Sequence, residues 1–103
     1  MAWVSAGPQT NPLIDTILAD TLAIVSGGGG NLQMIVASTV ACVIVLERRN
    51  AANTANISSQ IFPVAANDPY DLKIIVGWAD GERFRLRLNA AITGSVQASL
   101  ITD

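Results

Sequence analysis

Histidine is absent from this sequence of 103 residues. That removes the commonest general base, the commonest metal ligand and every catalytic triad built on imidazole. Cysteine occurs once, as Cys42, so no disulfide forms within the chain. Flanked by Val40, Ala41, Val43, Ile44, Val45 and Leu46, it reads as a small core residue rather than a reactive thiol. Charge is scarce as well: 6 Lys and Arg stand against 8 Asp and Glu, a charged fraction of 14% and a net charge of −2. A chain with no basic excess is not built as a general nucleic-acid binder.

Long apolar runs are missing too. Residues 21–46 carry no charge, but Gly27, Gly28, Gly29 and Gly30 cut the span. What remains, residues 32–46, falls short of the ~20 residues a membrane helix needs and contains Gln33, Ser38 and Thr39. The first residues have neither the basic start nor the apolar run of a secretory signal. Membrane and nucleic-acid partners are therefore not expected. Half the residues are apolar, enough for a single core in a chain of ordinary domain size.

What is present is alternation. In Glu82-Arg83-Phe84-Arg85-Leu86-Arg87-Leu88 every second residue is apolar, the period of a strand with one buried face. Leu72, Ile74, Val76 and Trp78 alternate in the same way, and the Asp80-Gly81 pair between the two runs predicts a β-hairpin. Val96, Ala98 and Leu100 point inward from a last strand. Residues 32–37 and 40–46 read as two more strands, the second apolar on both faces. One side of it meets the core; a neighbouring subunit is the expected cover for the other.

Residues 57–64 predict a strand with Pro63 marking an edge or exit, and residues 22–26 are strand-like. Asn11-Pro12 could open a helix with Leu13, Ile14, Ile17 and Leu18 on one face, so residues 13–20 stay open between helix and strand, with strand favoured by their surroundings. The sum is about eight short strands separated by turn signals, an all-β, single-domain antiparallel sandwich of jelly-roll-like type. It is expected over residues 13–103, behind an extended N-terminal arm, residues 1–12.

Motifs for chemistry are thin. Gly27–Gly30 lacks the Lys and Ser/Thr of a phosphate loop, so it reads as a strand connection. Asn67-Asp68-Pro69-Tyr70-Asp71 offers oxygen ligands, but too few for calcium, and turn formation already explains them. Arg48-Arg49-Asn50-Ala51-Ala52-Asn53-Thr54-Ala55-Asn56 reads either as a self-bonded loop or as a polar contact surface. Arg83, Arg85 and Arg87 share one strand face, either solvated or set against an acidic partner. No nucleophile sits with a base. The expectation is no enzyme, no metal and no cofactor.

The stretch from Leu46 to Asn56, with Gly81-Glu82-Arg83-Phe84-Arg85-Leu86-Arg87-Leu88 and Gly94-Ser95-Val96-Gln97-Ala98-Ser99-Leu100, resembles head decoration (cement) proteins of tailed bacteriophages, of small jelly-roll type. The resemblance covers roughly the last two thirds of the chain. It implies a structural virion protein, made in the host cytoplasm, that binds the outer surface of the capsid and bridges subunits of the major capsid protein. It also implies self-association, as a homodimer or homotrimer. Candidate contact residues are Trp3, Val4 and Pro8 of the arm, Arg48, Arg49, Asn50, Asn53 and Asn56 of the loop, and Arg83, Arg85 and Arg87. The alternative is a jelly-roll recognition module, such as the carbohydrate- or receptor-binding head of a phage fibre. That needs aromatic and polar groups on one face, and of five aromatics Trp78 and Phe84 are expected to point inward.

Overall fold

Nine strands and no helix make up the computed structural model, which describes residues 2–24 and 30–102. They are β1 (Ala2–Val4), β2 (Gln9–Thr10), β3 (Ile17–Asp20), β4 (Gly30–Ser38), β5 (Cys42–Arg49), β6 (Asn56–Val64), β7 (Tyr70–Val76), β8 (Arg83–Leu88) and β9 (Ser95–Thr102). One sheet runs β1-β9-β4-β7, with β2 following β1 along the edge of β9; the other runs β3-β8-β5-β6. All described pairings are antiparallel. The expected all-β sandwich is what forms.

Its core follows from the period of two. Leu32, Met34 and Val36 of β4, and Val96, Ala98 and Leu100 of β9, meet Ile44 and Leu46 of β5 and Phe84, Leu86 and Leu88 of β8. Each fully buried aliphatic side chain contributes about 1.5–3 kcal/mol relative to exposure. Trp78 and Phe84 do face inward, edge to face with centroids 5.8 Å apart. Cys42 is buried as expected, and desolvation pushes its thiol pKa up against a smaller opposing effect from Ser38.

Four expectations are corrected. The alternating runs of β7 and β8 do not form a hairpin: β7 lies in one sheet beside β4, β8 in the other beside β5. Residues 77–82 are a corner between sheets. Gly81 takes a left-handed φ of +85° there, and the Ala79 amide donates to Glu82 Oε1. Alternation and an Asp-Gly turn fix strands and a reversal; they do not say which sheet the next strand joins. The hairpin is β5–β6, closed by the asparagine loop.

Residues 21–24 are not strand, and residues 25–26 of that expected strand lie outside the described residues, as do Gly27, Gly28 and Gly29. The open segment 13–20 divides into a turn at 13–16 and the short strand β3, consistent with Asp15 at φ +66°. The N-terminal segment is extended but does not reach away. Its strands lie on β9, with Trp3 opposite Ile101 and Gln9 opposite Val96. Lastly, the outer face of β5 needs no neighbouring subunit at Val45 and Glu47, both buried within the chain's own sheet. Flanking strands supply the cover: Val45 sits between Ile61 and Arg87, Glu47 between Ser59 and Arg85.

Candidate functional site

Two polar regions stand at different places on this sandwich. On the outer face of the β3-β8-β5-β6 sheet, Arg83, Arg85 and Arg87 line up as the sequence indicates, yet each is engaged by a carboxylate of its own chain. Arg83 pairs with Asp20 at 3.2 Å, Arg85 with Glu47 at 2.6 Å, and Arg87 with Asp15 at 2.9 Å and Glu47 at 3.3 Å. Glu47 is 2% exposed. Burial pushes its carboxyl pKa up, but the hydrogen bonds and charge of Arg85, with Asn56 and Arg87, together outweigh that and hold it below the usual range. Nε of Arg83 is buried with no hydrogen-bond partner among the described residues.

The loop beside this face is bound up in the same way. Arg49 donates to Asn53 Oδ1, to Asn56 Oδ1 and to the Asn53 carbonyl, while Asn50 Oδ1 accepts from the Thr54 amide. Asn53 holds a left-handed φ of +56°, a conformation asparagine tolerates well. Arg48 turns inward to Glu82 at 2.7 Å. The Ala79 amide, then Arg48, holds the Glu82 carboxyl below its ordinary range. The self-bonded reading of 48–56 is the one the geometry favours.

Thus the eleven contact candidates fall into two groups. Arg48, Arg49, Asn50, Asn53, Asn56, Arg83, Arg85 and Arg87 are brought together, bonded to one another or to nearby acids. Trp3, Val4 and Pro8 lie on the other sheet's side. Val4 packs on the core, Trp3 is 62% exposed, and Pro8 lines a cleft.

That cleft is the second polar region. It has a volume of about 350 Å³ and is lined by Pro8, Ala37, Ser38, Thr39, Asn67, Asp68, Pro69, Ser95 and Gln97, within the size range of small-ligand sites. Four separate stretches of chain build it at the end of the sandwich away from the asparagine loop. Backbone bonding makes its frame rigid: the Asn67 amide donates to the Ser38 carbonyl, and the Thr39 amide to the Ser95 carbonyl. The Ser95 amide donates to Thr39 Oγ1, and Ser38 Oγ to the Val40 carbonyl. Gly94 closes against this frame; a Cβ there would stand 2.8 Å from Thr39 Oγ1 and 2.9 Å from a Val40 methyl.

The polar side chains of Asn67, Asp68, Ser95 and Gln97 have no hydrogen-bond partner among the described residues. They converge on one hollow, presenting amide donors and acceptors, a hydroxyl and one carboxylate between two prolines. Among the described residues no group of three or more Cys, Asp or Glu is gathered to hold a metal. In the sequence, Asn67 and Asp68 stand out only as turn residues. Thr39, Ser95 and Gln97 carry no sequence signal of a site, because nothing local links residues 39, 67 and 95.

Strand order and sheet pairing point to a known architecture. Three solved structures share it: the carbohydrate-binding module CBM36 in complex with calcium and xylotriose (TM-score 0.60, 11% identity, 100% of both chains covered); a CBM4 module (0.58, 10%, covering 80% of this chain and 55% of that one); and the CBM6cm-2 module of Cellvibrio mixtus lichenase 5A in complex with cellotriose (0.55, 14%, 99% and 96%). The fold is a jelly roll. This chain spans the whole of the CBM36 structure but only about half the length of the CBM4 one. No protein-family model matches the sequence, and no curated protein matches it.

Proposed function

We propose that this chain is a non-catalytic recognition module that binds carbohydrate in the Pro8–Asn67–Gln97 cleft. One observation carries the reading: Asn67, Asp68, Ser95 and Gln97 converge on a preformed hollow, their side chains without partners among the described residues. Amides, hydroxyls and carboxylates each exchange hydrogen bonds with sugar hydroxyls, and a rigid frame lets them do so with little ordering entropy. The jelly roll is shared with structures holding xylotriose and cellotriose, which favours a neutral oligosaccharide as the class to try first.

A path for a longer ligand leads away from the cleft along β9. Gln97, Ser99 and Ile101 share the outer face, beside Gln33 and Ile35 of β4, and Trp3 stands opposite Ile101 at the far end. From Gln97 to Ile101 is about 14 Å at ~3.4 Å per residue. An extended glycan lying there meets amides first and an exposed indole last, supplying the aromatic surface that the sequence reading found wanting.

The experiment is calorimetric titration with neutral oligosaccharides, on the full chain and on Gln97→Ala. Binding is expected in the chain and reduced about tenfold or more in the variant, as for loss of a positioned polar contact. Absence of binding to any neutral glycan, or equal binding by Gln97→Ala, overturns the proposal.

The decoration reading stands second, on a different observation. Leu13, Ile14 and Leu22, in the loops flanking β3, are each more than half exposed, an apolar border suited to a protein surface. Co-sedimentation with phage heads, lost in Leu13→Asp/Ile14→Asp, is its test; heads that sediment without the chain remove it.

A further inference from the structure

The two flanks of the sandwich are closed differently. On one, the chain itself crosses between β1 and β3, where the Ala6 amide donates to the Leu18 carbonyl. On the other, β6 and β7 are the last strands of their sheets, joined only towards one end, by residues 65–69 and the Phe62–Tyr70 ring contact, so that most of the β6 edge stays open. A gap of about 120 Å³ opens there, lined by Leu46, Arg48, Ser58, Gln60, Ile74, Val76 and Phe84. Ser58 and Gln60 point inward but remain exposed, and Leu72, Ile74 and Val76 are only half-buried. Residues 50–67 contain no charge, so β6 lacks the lysine or inward charge that ordinarily blunts an open edge.

We propose that a second copy of this chain docks on that edge, β6 against β6 about a two-fold axis at Ser59, joining two four-stranded sheets into one of eight strands. The proposal does not rest on the carbohydrate reading. Three features select a second copy as the occupant. First, the exposed side chains are arranged symmetrically: Ile57 and Ile61, 47% and 63% exposed, stand two residues either side of Ser59. An antiparallel pair centred on Ser59 sets each Ile57 against the other copy's Ile61, burying four isoleucines on one face.

Second, the register agrees with the backbone. Pro63 has no amide proton and lies in the ladder opposite Val43, so its nitrogen faces the open side. Ser59 and Ile61 alternate in step with it and aim their own amides and carbonyls outward. Centring on Ser59 pairs outward-aiming residues with each other, whereas centring one residue later sets Pro63 against Ile57 and loses donors. Third, the free ladder is short and bounded, by a register shift near Asn56 at one end and Pro63 at the other. Long foreign strands and open-ended stacking are disfavoured, while a closed pair is not. The absence of charge means that two copies meet without repulsion.

Such an axis stands perpendicular to the shared sheet, so the second sheets of both copies lie on the same side. Their polar clefts then stand at opposite ends of the dimer, an arrangement suited to bivalent attachment to a polymer.

Sedimentation equilibrium of the full chain tests the pairing. A mass twice the 10.8 kDa of one chain is expected at about 100 µM. Ile61→Lys, which charges the edge, should raise the dimer dissociation constant by about tenfold or more while circular dichroism stays that of the parent. In case that variant unfolds, Ser59→Cys offers an independent reading. At the axis the two Cα atoms stand about 5.5 Å apart, within disulfide range, so mild oxidation should give a covalent dimer. Ser58→Cys, which faces Gln60 of the other copy, should not. A parent chain that stays monomeric, a dimer unaffected by Ile61→Lys, or equal cross-linking at 58 and 59 each overturns the pairing.

Discussion

The arginine face and the cleft are both polar, yet the arginines are paired within the chain while the side chains of the cleft stand open to a ligand. On the β8 face every arginine of the stripe, and the asparagines beside it, already hold partners within the chain. In the cleft the frame is bonded while four side chains have no partner among the described residues. A dense array of paired charge is thus a structural feature here, and a sparse set of amides, a hydroxyl and one carboxylate is the candidate site. Satisfaction, rather than polarity, separates a surface that holds the fold together from one able to bind.

Substitutions sharpen that difference, beginning with the largest expected effect. Glu47→Ala removes the buried carboxylate that Arg85, Arg87 and Asn56 share. Breaking a buried ion pair by deleting one partner costs about 3–5 kcal/mol, so urea unfolding should show a loss of that order, with glycan affinity unchanged in whatever remains folded. A variant as stable as the parent would mean the face does not hold the sheet. Gly94→Ala comes next. Its Cβ would collide with Thr39 and Val40, and overpacking of this kind costs typically about 1–3 kcal/mol. Because the clash displaces the cleft's own frame, affinity should fall together with the thermal midpoint; affinity that survives intact would place the ligand elsewhere.

Acid separates the regions again, by a smaller amount. Glu47 and Glu82 bind protons less readily in the folded chain than in the unfolded one. Their contribution is therefore complete above the ordinary carboxylate pKa of about 4.3 and is lost as pH falls below it toward their lowered folded values. The melting temperature should hold level from neutrality to about pH 5 and then decline, less steeply in Glu47→Gln. A parent and variant declining in parallel would show that Glu47 is not among the groups responsible. The smallest effect on stability belongs to Gln97→Ala, an exposed position on β9, expected within about 0.5 kcal/mol of the parent in urea even as binding weakens.

Sequence made the strands legible because burial and the period of two act residue by residue. Leu86 and Leu88 had to be inside once Arg85 and Arg87 were outside, and Pro63 did mark an edge. Pairing partners were less legible. The corner at residues 77–82 carries the same Asp-Gly signal as a hairpin, and whether β8 returns to β7 or crosses to β5 depends on strands far away in the chain. For the same reason the arginines were visible as a stripe but their acids were not, since Asp15, Asp20 and Glu47 come from two other strands and a turn. The cleft was least legible of all. It brings Pro8, Thr39, Asn67 and Gln97 together across nearly the whole sequence, and each of them alone looks like an ordinary loop or surface residue.

The central claim is that recognition belongs to the cleft and structure to the arginine face. Amide chemical shifts of the full chain, followed through a titration with a neutral oligosaccharide, test it most directly. The account predicts shifts concentrated at Thr39, Asn67, Asp68, Ser95 and Gln97, extending along β9 toward Trp3 for longer ligands, with Arg83, Arg85 and Arg87 unmoved. Shifts centred on the arginines and the asparagine loop, with the cleft silent, would contradict it.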